Sequence, residues 1–278
     1  MKIQAMYRKL GLLAVLCLIL SSSCKKVVEY DSSLSFAFTF IYGYKPLSLA
    51  DSLAGKTPDS IPFQLNTPYK IASGQEITIS EIQYFISEIS LINDKNEKIP
   101  LPTMDFSHYV DISIPSTLKW TPRMPIPSGI YTGIEFVFGF TPAHNQTNQF
   151  VNPPESLMFW PQTLGGGYHY MKINGKWKAP DSVQMHNFGF HAGTGQTWEN
   201  GIPISFHPNF FFVRDSFFMP LPYNTTGKLA INMDVKEWFQ NPHTWDFTVY
   251  GGAIMQNQTA QNVLKENGST VFRVKRIE

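Results

Sequence analysis

Gly133-Ile-Glu-Phe-Val-Phe-Gly-Phe140 decides the fold. Ile134, Phe136, Phe138 and Phe140 occupy alternate positions, so in extended backbone they line one face, and β-branched and aromatic residues favour that backbone. The pattern recurs on both sides. Leu34, Phe36, Phe38, Phe40 and Tyr42 alternate with Ser35, Ala37, Thr39 and Ile41, and Leu229, Ile231, Met233 and Val235 repeat the spacing within 228–235. Strands this one-sided need a second apolar layer. The prediction is an all-β, β-sandwich-like single domain around a single hydrophobic core, with Phe36, Phe38, Phe136, Phe138, Ile231 and Met233 inside it.

The intervening segments read less simply. Residues 43–68 hold Gly, Pro and Asp-Ser steps and read as a long loop. Ile71 to Ile79 reads as a strand interrupted at Ser73-Gly74. In 79–91, Ile82, Phe85, Ile86 and Ile89 fit helical spacing, while Phe85, Ser87, Ile89 and Leu91 fit a strand; a short helical turn followed by a strand is expected. Residues 141–167 form a long polar insertion, and insertions of this length in a compact domain are usually functional. A short helix is expected over 258–266, stopped by Asn267-Gly268, with a last strand over Val271–Val274.

The first residues bear on location. Lys2, Arg8 and Lys9 precede the unbroken apolar run Leu10–Leu20, and Ser21-Ser22-Ser23-Cys24 follows. This is the layout of a secretory signal, and the run is too short to span a bilayer, which takes ~20 residues. Cys24 after small residues reads as a lipidation site. The expected organisation is a signal peptide over 1–23, a lipidated tether over 24–33 and a β domain over 34–278, in a bacterial envelope lipoprotein of the outer membrane facing periplasm or cell surface. Losing Lys2, Arg8 and Lys9 leaves 19 basic against 21 acidic residues, a formal charge near −2. That gives no basic excess for nucleic acid. The other cysteine, Cys17, lies in the apolar run, so the mature domain has no disulfide and relies on its core.

No Gly-x-Ser-x-Gly, phosphate-binding glycine loop or His-Glu-x-x-His occurs, and the reading is non-enzymatic. Histidine carries the chemistry instead. Tyr168-His169-Tyr170-Met171-Lys172-Ile173 reads as a strand, Asn174-Gly175-Lys176-Trp177 as the start of a turn, and His186–His191 as a returning strand. His186 and His191 are five apart and point to opposite faces, so His169 shares a face with one of them. Neutral imidazole is the commonest ligand for copper and zinc. On this basis His169, His186 and His191 are candidate metal ligands, with uptake expected to fall as pH drops through ~6.5, the ordinary histidine value. Trp160, Tyr168 and Tyr170 are a candidate binding surface, and aromatic clusters of this kind also occur as core.

The order of several segments resembles the MbnP-like copper-binding proteins. They are Ser35–Phe40, Ile82–Leu91, Tyr109–Ile112, Gly129–Gly139, Ser156-Leu-Met-Phe-Trp160, Gly167-Tyr-His-Tyr-Met-Lys-Ile-Asn-Gly175, Phe190-His-Ala-Gly193 and Ala260–Asn267 before Phe272. The resemblance implies a β-sandwich-like envelope protein that binds copper for uptake or buffering. His191 falls on the family's His-Gly motif and is its best candidate ligand. Better-known members use a tryptophan oxidised to kynurenine at the copper site. This chain has no Trp before Trp120, and the family's paired Trp-x-Trp is here Trp160-Pro161-Gln162. The rival reading is a metal-free envelope module that recognises a glycan, peptide or protein partner through the 141–167 insertion.

Overall fold

The computed structural model describes residues 30–101 and 106–278. The expected signal peptide and Cys24 lie outside them. The strands in chain order are β1 (Tyr30–Tyr44), β2 (Ser60–Pro62), β3 (Tyr69–Lys70), β4 (Glu76–Asn93), β5 (Lys98–Pro100), β6 (Ser107–Asp111), β7 (Lys119–Trp120) and β8 (Ile126–Pro127). They continue as β9 (Gly129–Phe138), β10 (Met171–Lys178), β11 (His186–Ala192), β12 (Thr194–Glu199), β13 (Ile202–Pro208), β14 (Phe211–Leu221), β15 (Thr226–Asp234) and β16 (Phe272–Arg276). The helices are α1 (Leu49–Leu53), α2 (Phe247–Tyr250) and α3 (Gln258–Val271).

Among the described residues, a six-stranded sheet runs β16-β15-β1-β2, with β7 and β8 also on β1. An eight-stranded sheet runs β11-β10-β4-β9-β14, with β3, β5 and β6 also on β4, and β12 and β13 form a separate ribbon. The two large sheets pack face to face. Phe36, Phe38, Leu229, Ile231 and Met233 from one, and Tyr84, Ile86, Phe136 and Phe138 from the other, belong to one apolar cluster. Phe138 sits among Phe211, Trp238 and Phe272 at ring-centroid distances of 4.8, 5.4 and 5.4 Å. The alternation in β1, β9 and β15 thus places the expected core residues inside, and the fold is the predicted all-β sandwich with a short C-terminal helix.

β1 begins at Tyr30, not Leu34, because residues before Leu34 already have partners. Ser33 pairs with Thr226, and Ser32 Oγ donates to the Pro222 carbonyl. The last part of the expected tether is therefore strand. The region expected to turn helically within 79–91 is instead the middle of β4, a single strand. Its residues in the main core run 77, 79, then 82, 84, 86, then 89, 91. Two bulges produce these jumps. Ser80 is an extra residue opposite Asn174 and Gly175, and the register slips again between Ser87 and Ser90, where Glu88 has φ +50°. Each extra residue flips the strand's phase, so apolar residues at 79, 82, 86 and 89 imitate a helical period while facing one core.

Two other expectations need correction. α3 does not stop at Asn267-Gly268 but continues to Val271. Asn267 is fully buried; its amide donates to the carbonyls of Trp238 and His243 and accepts from the His243 N–H. Gly268 lets the Phe211 ring lie against the helix, where a Cβ would collide with it. Both residues serve packing rather than termination. The core is also not single. Phe85, Tyr109, Phe140, Met158, Tyr168 and Tyr170 form a second cluster. Phe85 points away from its neighbours Tyr84 and Ile86, so this cluster lies on the outer face of the large sheet, beneath the 141–167 insertion.

Candidate histidine centre

The strand expected to turn at Asn174-Gly175 runs on to Lys178, and this sets the site. β10 and β11 pair antiparallel with Lys172 opposite His191, Asn174 opposite Gly189 and Trp177 opposite His186. Met171 and Ile173 face the main core, so Lys172, Asn174 and His191 face outward on the other side. His186 is on the core-side face at the far end, exposed and stacked on Trp177 at 5.0 Å. It is therefore separated from His191, as the five-residue spacing requires.

His169 lies just before β10, where the chain folds back on the insertion. His169 N–H donates to Met158, Trp160 N–H to Gly167, and Tyr170 N–H to Ala192. These bonds hold the His169 ring 5.1 Å from the His191 ring and 4.7 Å from the Trp160 indole, edge-on in both cases. Gly193 is needed here, since a Cβ at that position would press into the Trp160 ring. His169 and His191 are brought together; His186 is not.

The hydrogen bonds fix both tautomers. A carbonyl only accepts, so the 3.0 Å contact from His169 Nδ1 to the Met158 oxygen makes Nδ1 the protonated nitrogen. His169 Nε2 is then a lone-pair acceptor, buried and without a hydrogen-bond partner. Asn174 donates its amide to the Glu81 carboxylate and accepts from His191 Nε2 at 2.8 Å. The second lone pair is thus on His191 Nδ1.

Burial pushes the His169 imidazole down to about 3, with the nearby Lys172 ammonium adding to the shift. Burial and then Lys172 lower His191 to about 4. Both rings are uncharged at neutral pH. Lys172 itself, half-buried, donates to the Leu157 carbonyl at 2.8 Å. His191 and Met255 line one surface cleft of about 400 Å³ with Leu164, Gly189 and Ile254.

Among the described residues no three His, Cys, Asp or Glu side chains converge as a metal-ligating group. Trp160, Tyr168 and Tyr170 are buried, at 0%, 1% and 1% exposure, so the expected aromatic binding surface is a packed interior. Sequence reasoning missed Asn174 and Glu81, which orient His191. Asn174-Gly175 carries the residues of a turn, yet Gly175 is where β10 lies closest to β4, and a Cβ there would strike the Thr78 carbonyl. Alternation from Lys172 would have placed Asn174 on the histidine face.

These features define an all-β two-layer protein with paired neutral imidazoles outside its larger sheet. The chain belongs to the MbnP family, whose model matches residues 32–259. Among solved structures it is similar to MbnP from Methylosinus trichosporium, at 14% identity and a TM-score of 0.52, over 88% of this chain and 99% of that one. No curated protein matches it.

Proposed function

We propose that this is a non-catalytic, lipid-anchored envelope protein that binds copper through His169 and His191, for uptake or buffering. The observation that carries the reading is the orphaned Nε2 of His169, a buried lone pair facing no donor, beside a second neutral imidazole. A buried acceptor left unpaired is costly unless something occupies it. Both rings also have the outer bond that metal-ligating histidines use: N–H to a backbone carbonyl for His169, and N–H to the Glu81-backed Asn174 for His191. Copper accepts imidazole readily, and Met255, whose thioether is of a kind that suits Cu(I), lines the same cleft as His191.

Copper titration of the mature chain tests this. We expect one copper per chain, with His169→Ala and His191→Ala each abolishing tight binding. His186→Ala is expected to leave it intact, and Asn174→Ala to weaken it roughly 10–100-fold. Unchanged stoichiometry and affinity in both ligand variants would refute the copper reading and favour a metal-free module. Anchoring is tested separately. Cys24→Ala should release the protein from washed membranes, and wild-type retention would refute the anchor.

A further inference from the structure

The core-facing side of the six-stranded sheet is apolar, and its opposite side has a charge character the whole chain lacks. Along that outer face Lys119 on β7 pairs with Ala37 on β1, Ala37 with Ala230 on β15, and Ala230 with Lys275 on β16. One pleat away in one direction Lys228 lies beside Ser35; one pleat away in the other, Arg273 lies beside Asn232, which in turn pairs with Thr39. All four cations are exposed. None has an ion-pair partner among the described residues.

The residues between them are Ser, Ala, Thr and Asn, so the cations rise from a floor of short side chains. With strands ~4.8 Å apart, Lys119 and Lys275 stand ~14 Å apart across it. The nearby acids are largely committed. Asp215 at the β16 edge accepts from the Val274 and Ser216 N–H groups, and Asp234 at the far end accepts from those of Gly43 and Lys236. Glu237 holds the amides of Gln240 and Asn241. Glu278 lies just beyond β16.

We propose that this face docks onto the phosphate headgroups of an anionic lipid surface. Charge complementarity and the entry of the chain both favour that occupant. A cationic face without ion pairs, on a mature chain of formal charge near −2 once Lys2, Arg8 and Lys9 are removed, is an asymmetry that orients the molecule against a negative plane. β1 supplies the middle of the face, and only five residues separate Cys24 from Tyr30. At 3.3–3.6 Å per residue that tether reaches ~20 Å, short enough to hold the sheet against the bilayer. The tether argument rests on the proposed lipid anchor; the charge argument does not.

The test uses the mature chain from residue 25, which carries no acyl group, so its outcome is independent of Cys24. Co-sedimentation with phosphatidylglycerol–phosphatidylcholine vesicles should show binding that falls from 50 to 300 mM salt. Pure phosphatidylcholine should bind none. Reversing Lys119, Lys228 and Lys275 to Glu should cut partitioning by at least about fivefold per site. Reversing the exposed Lys70, Lys95 and Lys176 elsewhere should leave it unchanged, with melting curves confirming that both triple variants fold. Equal binding by the two triple variants, or binding to neutral vesicles alone, would overturn the docking face.

Discussion

Replacing Asn267 by Ala separates two opposed expectations for the end of the last helix. If Asn267-Gly268 were a stop, Ala would extend the helix and stabilise it, since Ala exceeds Asn in helix propensity by ~0.5–0.7 kcal/mol. The structure gives the opposite sign. Asn267 is wholly buried and makes three hydrogen bonds of 2.9 Å to backbone groups of Trp238 and His243. Ala leaves those groups unpaired at ~1–3 kcal/mol each, with water recovering part of the loss near the surface-facing His243. After the propensity gain the net cost is ~3 kcal/mol. Urea unfolding should show a lower midpoint with an unchanged slope, and Tm should fall by ~6–12 °C for a domain of this size. A midpoint that stays or rises would show that Asn267 does not hold the 238–243 segment to the helix.

Gly268→Ala should also destabilise, despite a propensity gain of ~1 kcal/mol, because the new Cβ meets the Phe211 ring; a more stable variant in thermal melts would refute the close packing. Phe138→Ala should cost ~3–5 kcal/mol in denaturant unfolding, and a loss under ~1 kcal/mol would place Phe138 outside the core. His108 stacks between Phe38 and Trp120, and burial lowers its imidazole to about 4. The unfolded chain therefore takes up its proton first: this contribution is full above ~6.5 and declines by ~3 kcal/mol as pH falls to 4, so His108→Phe should flatten the acid limb of stability against pH. Copper should stay bound well below pH 6.5, because His191 and His169 are held to about 4 and about 3; metal analysis showing half-release near 6.5 would contradict the burial argument.

What the sequence makes legible depends on whether a strand keeps its phase. β1, β15 and β9 from Ile134 to Phe138 alternate without interruption, so their inner residues can be read directly; Phe140 follows Gly139 at φ +82° and joins the outer cluster instead. β4 cannot, because Ser80 and Glu88 each shift the phase, and only the partner strands reveal the extra residues. Asn174-Gly175 and Asn267-Gly268 mislead for a related reason. These dipeptides usually mark chain reversals, but here small size and amide chemistry serve contacts made by distant residues. The histidine pairing was half legible: face parity excluded one of His186 and His191 as the partner of His169, and the register of β10 on β11 selects His191. The position of Trp160, Tyr168 and Tyr170 depends on how the insertion folds over the sheet, which no local pattern encodes.

The parallel pairing of β1 with β15 affects how the chain acquires its structure. Thr39 and Asn232 touch across 193 residues of sequence, so the first strand of the domain meets its long neighbour only after most of the chain is present. Ring closure over that length is slow, and until it happens the apolar side of β1 has no lasting cover. A chain that emerges N-terminus first holds this edge of β1 open until Thr226–Asp234 has been made. A truncation before Thr226 removes β15 and β16 together, two of the six strands of the smaller layer, and with them Leu229, Ile231, Met233 and Phe272 from the core.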